Sequence, residues 1–279
     1  MLRQLRQTSL KSHFLGVTLA SLATSGTSIA APKEIHSLDN TGKNFTYREG
    51  TTDLEGYLVL PKKLTKKTPA VVLVHDWMGV GSDVKRRARM IANLGYIAFA
   101  ADIYGKTTRP KNSDEAAEYA TKFRGGDRAL FRKRILSAID TASKIPNVDA
   151  SRIAILGYCF GGTGAMEAAR LKAPVVAAIS FHGGLSQGTQ KEEKEITAKV
   201  IAFHGAEDPL VDANEVKGFQ EEMRAAKANW EFVTYSGAVH AFTNPEVPYK
   251  QGAPFGYNAQ ADARSWTAMT NFLAEVFTK

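Results

Sequence analysis

Seven short apolar runs recur along the chain, at residues 54–60, 70–75, 96–101, 153–158, 175–181, 200–204 and 230–235. Most are continuously apolar rather than alternating. Strands covered on both faces read this way, as in a mainly parallel sheet flanked by helices. The stretches between them carry the helical period. Phe131, Ile135, Ala138, Ile139 and Ala142 share one face, as do Val216, Phe219 and Met223, and Trp266, Met269, Leu273 and Phe277. Strand–helix alternation of this kind predicts an α/β fold with right-handed crossovers. An N-terminal pair near residues 44–47 and 54–60 should add an antiparallel edge. No internal repeat appears, nor any Pro- or Gly-rich linker, so residues 31–279 are expected to form one domain.

With 44% hydrophobic residues, 23 Gly and 10 Pro among 279, low-complexity and collagen-like classes are excluded. A mean hydropathy of −0.23, and no apolar run of about 18 residues, excludes a multi-span membrane protein. Residues 1–30 read differently from the rest. Arg3, Arg6 and Lys11 precede a mostly apolar stretch over residues 14–22, and Ser28-Ile29-Ala30 suits cleavage after Ala30. This is the three-part pattern of a secretory signal peptide. No twin-Arg pair is present, so the general export route to the periplasm or beyond is expected. A frayed amphipathic terminus or a mitochondrial transit peptide are the rivals. Removing three basic and no acidic residues lowers the formal charge from +8 to +5. The remaining basic runs are short and not interleaved with aromatics, which speaks against a nucleic-acid partner.

The chain holds one Cys. Apolar residues 153–156 run into Gly157-Tyr158-Cys159-Phe160-Gly161-Gly162, and an amphipathic segment follows. Cys159 thus lies between a strand and a helix, with Gly two residues away on each side. That is the nucleophile-elbow pattern with Cys in place of Ser. A strained tight turn needs small neighbours, and the helix beyond aims its N–H groups and positive dipole end at the sulfur. The bland alternative is a buried structural Cys in a glycine-rich turn.

Such a nucleophile needs an acid and a His at the carboxyl ends of later strands, in that chain order. The run at 200–204 leads into Gly205-Ala206-Glu207-Asp208-Pro209, and the run at 230–235 into Ser236-Gly237-Ala238-Val239-His240. Asp208 and His240 fit, with Glu207 the rival acid. Of six His, His13 belongs to the leader and His36 sits near the mature N-terminus. His75, His182 and His204 end apolar runs and read as packed, hydrogen-bonded residues bordering the same rim. No His-Glu-x-x-His or similar spacing exists, so neither a metal nor another cofactor is expected.

Gly157–Gly162, His204–Pro209 and Gly237–Phe242 together resemble the dienelactone hydrolase family. So do Val74-His75-Asp76-Trp77-Met78-Gly79 and Ala101-Asp102-Ile103-Tyr104-Gly105. The resemblance spans residues 44–277. It implies an α/β-hydrolase fold and hydrolysis of an ester or lactone through a Cys acyl-enzyme. Carried over, Cys159 is the nucleophile, His240 the general base and then acid, and Asp208 its orienting partner. The N–H groups of Phe160 and Trp77 would form the oxyanion hole.

Three positions depart from the family. Its characterised members carry a Glu that contacts the resting thiol where this chain has Asp76, one methylene shorter. They also hold a substrate carboxylate with two Arg, where this chain has Lys106 and Asn244. Lys can pair with a carboxylate, though without the bidentate fork of Arg. The expected pocket is lined by Trp77, Tyr104, Tyr158, Phe160 and Phe242, with Lys106 beside the substrate. The expected partner is a small ester or lactone, with no stable membrane association and a monomer or small homo-oligomer as the working state. A thioesterase or acyltransferase with the same triad, or a non-catalytic thiol-bearing binding protein, are the alternatives.

Overall fold

The computed structural model describes residues 41–189 and 195–278. The leader, its cleavage site and His36 lie outside the described residues. In chain order the elements are β1 (Lys43–Glu49), β2 (Thr52–Val59), β3 (Thr68–Val74), α1 (Ser82–Asn93), β4 (Ile97–Ala101), α2 (Ser113–Arg124) and α3 (Ala129–Ser143). Then come β5 (Val148–Tyr158), α4 (Phe160–Arg170), β6 (Ala177–Phe181), β7 (Lys199–Gly205), α5 (Ala213–Ala225), β8 (Trp230–Tyr235) and α6 (Ala259–Phe277).

The strands form one sheet in the order β1-β2-β4-β3-β5-β6-β7-β8. The expected antiparallel edge is there: Asn44 pairs with Tyr57, and β2 runs antiparallel to β4. From β4 to β8 every pairing is parallel. Successive residues of the central strands serve opposite faces, as the pleat requires. Val72 and Val74 join a core with Phe131, Ile135, Met166 and Phe219 on the α3–α4–α5 side. Val71 and Leu73 join Ile91, Met269 and Leu273 on the α1–α6 side. The apolar stripes read from the sequence are these two packed faces.

Chain order sets where a crevice opens. The connection from β3 leads to β4 on one side, while β5 lies on the other. The loops leaving β3 and β5 therefore diverge, and an open α/β sheet binds its ligands at such a switch point. Those two loops carry Trp77 and Cys159.

On the α3–α4–α5 side, a buried ionic cluster ties down the loop after β6. Glu167 accepts from Arg128 and Arg170 at 2.8 Å and from Arg132 at 2.6 Å. Arg170 also donates to the Leu185 carbonyl and pairs with Glu222 of α5. A charge this deeply buried needs such a full set of partners.

Candidate active site

Cys159 sits between the last residue of β5 and the first of α4, with φ +53 and ψ −114. An L-residue rarely adopts this left-handed turn, at a cost of about 1–3 kcal/mol. The flanking glycines make it possible. A Cβ on Gly157 would collide with the Gly161 carbonyl, and one on Gly161 with the Val74 carbonyl of β3. The Cys159 N–H is held by the Phe181 carbonyl at 3.0 Å and by His182 Nδ1 at 3.2 Å. The thiol itself is half-buried and free.

Asp208, after β7, and His240, after β8, meet beside it. His240 Nδ1 lies 2.8 Å from Asp208 Oδ2, and both side chains are buried. The other Asp208 oxygen accepts the Leu210 N–H. Opposite the carboxylate, His240 Nε2 is buried and has no hydrogen-bond partner among the described residues. Burial alone would favour the neutral ring. Negative charge on the Cys159 sulfur and the Asp208 carboxylate together outweigh it and push the His240 pKa up to about 10. The thiol, imidazole and carboxylate therefore form one charge-coupled row. Among the described residues, the N–H groups of Trp77 and Phe160 donate to no backbone carbonyl outside their own elements.

Two chambers meet at this row. The larger, about 460 Å³, is lined by Asp76, Asp83, Glu246, Tyr158, His182 and Thr243 among others. The smaller, about 300 Å³, is lined by Ala117, Ala120, Thr121, Arg124, Leu210 and Val211. Trp77, Cys159, His240 and Phe255 border both. The Trp77 and Phe255 rings stack at 6.2 Å, and His240 meets the Phe255 ring edge-on.

Several expected site residues stand elsewhere. Lys106 lines neither chamber. Its N–H bonds the Asp53 carbonyl and its ammonium lies 3.8 Å from Glu55 of β2. Tyr104 is buried behind the crevice, with its hydroxyl donating to the Trp77 carbonyl at 3.0 Å. Phe242 is buried against the His182 ring, and the Phe160 ring packs into the core between His75 and Phe131. Of the expected aromatic lining, Trp77 and Tyr158 reach the cavity. Asp76 also reaches it, yet its carboxylate accepts the Met78 N–H at 2.8 Å and makes no hydrogen bond to the thiol. Burial, reinforced by Asp83 and Glu246, raises its pKa to about 6 against the pull of that N–H.

Two residues carry more than the sequence suggested. His182 lines the larger chamber. It accepts the Cys159 N–H on Nδ1, so its Nε2–H faces Thr243 Oγ1 at 2.8 Å. Burial holds it neutral. Arg124, in the last turn of α2, is the one charged side chain of fixed sign at the smaller chamber, and its guanidinium pairs with no carboxylate among the described residues. No group of three or more His, Cys, Asp or Glu among the described residues could hold a metal.

The sheet order and the elbow after β5 define the α/β-hydrolase fold. A family model described as the dienelactone hydrolase family matches residues 54–277. The chain belongs to that family and is a carboxylic ester hydrolase. A Salmonella typhimurium relative, whose name proposes a carboxymethylenebutenolidase, is 25% identical over 88% of this chain and 92% of its own. A Bradyrhizobium relative, whose name proposes a 2-oxo-3-(5-oxofuran-2-ylidene)propanoate lactonase, is 29% identical over 67% of this chain and 77% of its own. Among solved structures, a dienelactone hydrolase-like promiscuous phosphotriesterase from metagenomic libraries superposes with a TM-score of 0.80. It is 34% identical, over 85% of this chain and 98% of its own.

Proposed function

We propose that the enzyme hydrolyses a small ester or lactone through an acyl-enzyme on Cys159, with His240 and Asp208 completing the triad. The observation that carries this reading is the unspent, buried Nε2 of His240 beside a thiol on a positive-φ elbow. The sulfur attacks the substrate carbonyl carbon, and the oxygen takes the negative charge between the Trp77 and Phe160 N–H groups. His240 then gives its proton to the leaving oxygen as the carbon–oxygen bond breaks. Water follows. His240 removes one of its protons, the hydroxyl adds to the thioester carbonyl, and the carbon–sulfur bond breaks to release the acid and restore Cys159. Asp208 keeps the imidazole in the tautomer that leaves Nε2 facing the sulfur.

Cys159→Ala should abolish turnover of an activated ester such as p-nitrophenyl acetate, while leaving the melting temperature nearly unchanged. Full activity in that variant would remove Cys159 from the mechanism. The remaining parts of the reading are a monomer or small oligomer, and an exported chain cleaved after Ala30. The leader pattern supports the second of these.

A further inference from the structure

The Trp77 N–H can stabilise an oxyanion only if its peptide plane is fixed, and one buried side chain grips that plane. The Ile103 N–H donates to His75 Nε2 at 3.2 Å, so Nε2 is an acceptor and the ring proton is on Nδ1. Nδ1 lies 2.5 Å from the Asp76 carbonyl oxygen and donates to it. That carbonyl belongs to the same peptide group as the Trp77 N–H. The chain has no cis peptide bond among the described residues, so carbonyl and N–H point in opposite directions. Pinning the carbonyl to a buried ring turns the N–H away from that ring.

The ring itself cannot move far. It is fully buried, with Tyr104 edge-on at 4.8 Å and Phe160 stacked at 5.7 Å. Phe160 is the residue whose N–H would be the second oxyanion donor. The same peptide group receives a longer bond from the Gly79 N–H at 3.3 Å. The next carbonyl, that of Trp77, is held by the Tyr104 hydroxyl.

We propose that His75 is a positioning residue for the oxyanion hole: its Nδ1–H holds the Asp76–Trp77 peptide so that the Trp77 N–H faces the reacting carbonyl. The inference rests on the functional reading above. The bond does more than orient. A donor on the carbonyl draws electron density from the peptide nitrogen and makes its N–H a better donor, as in any hydrogen-bonded chain. Burial pushes the His75 pKa down to about 4, so the ring stays neutral and keeps its acceptor nitrogen for Ile103 in the neutral pH range.

The test separates acylation, which builds an oxyanion, from alkylation, which does not. His75→Leu removes the donor. It should lower kcat on p-nitrophenyl acetate by about 10–100-fold, somewhat less than loss of a whole oxyanion donor, with KM within about 3-fold. Labelling of Cys159 by iodoacetamide should stay within about 2-fold, because displacement of iodide needs the sulfur and His240 alone. His75→Gln offers an amide N–H to the carbonyl and an oxygen to Ile103, and should restore most of kcat. An unchanged kcat in His75→Leu overturns the proposal. So does a kcat that falls in step with alkylation, since that pattern places the damage at the thiol. If His75→Leu does not fold, His75→Phe carries the test, since it keeps a ring against Tyr104 and Phe160 but lacks the Nδ1–H: the same loss of kcat with the same split supports the proposal, and an unchanged kcat overturns it. A native enzyme without esterase activity would instead sink the functional reading at the outset.

Discussion

Asp76 faces a chamber it shares with Asp83 and Glu246, and burial there holds its pKa near 6. A carboxyl whose folded value lies above its unfolded one binds its proton more tightly in the folded chain. Stability is then lost as pH rises from about 4, the unfolded value, through 6. Asp76→Asn keeps an oxygen for the Met78 N–H and removes the charge. Its stability relative to the native enzyme should therefore climb between pH 4 and 7, by about 1–2 kcal/mol, below the full linkage value because Asp76 borders an open cavity. Urea melts at the two pH values check this, and a difference that ignores pH would rule the charge out. The same residue shows where sequence reading stops. Its place in the crevice followed from the loop after β3, but its hydrogen-bond partner depended on how that loop turns back on itself. Lys106 is the sharper case. Gly105 takes φ +133, and the turn sends the next side chain toward Glu55 rather than the substrate. Nothing in the spacing of Tyr104-Gly105-Lys106 tells which way such a turn leads. That Cys159, Asp208 and His240 meet was legible because each lies in the loop after a strand of one parallel run, where topology alone brings the loops to one edge.

α2 illustrates the opposite failure. Its start is conventional: the Asn112 side chain accepts the Glu115 N–H. Its end carries Lys122 and Arg124, cations that any helix favours against its dipole. A basic last turn is thus indistinguishable in sequence from a binding residue, yet packing puts Arg124 on the lining of the smaller chamber together with Cys159 and His240. An anionic substituent on the substrate should enter on that side, since the other chamber is lined by three acidic residues. Arg124→Leu should raise KM for an ester bearing a carboxylate by about 10-fold, the scale of one exposed charge-assisted contact, and leave a neutral ester within about 2-fold. Equal effects on both esters would assign Arg124 to the scaffold.

At the scale of the whole molecule, one sheet carries two packed faces, and its carboxyl edge carries the candidate site. The alternation of apolar runs announced this architecture. The Glu167 cluster was not legible, because its arginines come from α3, α4 and the turn before α3, and nothing local marks them as partners of one buried acid. No described helix is long and apolar enough to cross a membrane. Export with cleavage after Ala30 would leave a chain of formal charge +5. Intact-mass measurement of the protein recovered from outside the cytoplasm should read a chain beginning at Ala31, and a full-length mass there would exclude cleavage. The pair of chambers meeting at the Cys159–His240 row has a consequence for the second half of the reaction. On the proposed acyl-enzyme route, an ester whose alcohol lay in one chamber and whose acyl group lay in the other would leave the first chamber vacant once the alcohol departs. Whatever small hydroxyl compound diffuses into the vacated space stands where water would stand, within reach of the same imidazole. An added short alcohol should therefore compete with water for the thioester, and the ratio of transferred to hydrolysed product would gauge how well that vacated chamber excludes solvent.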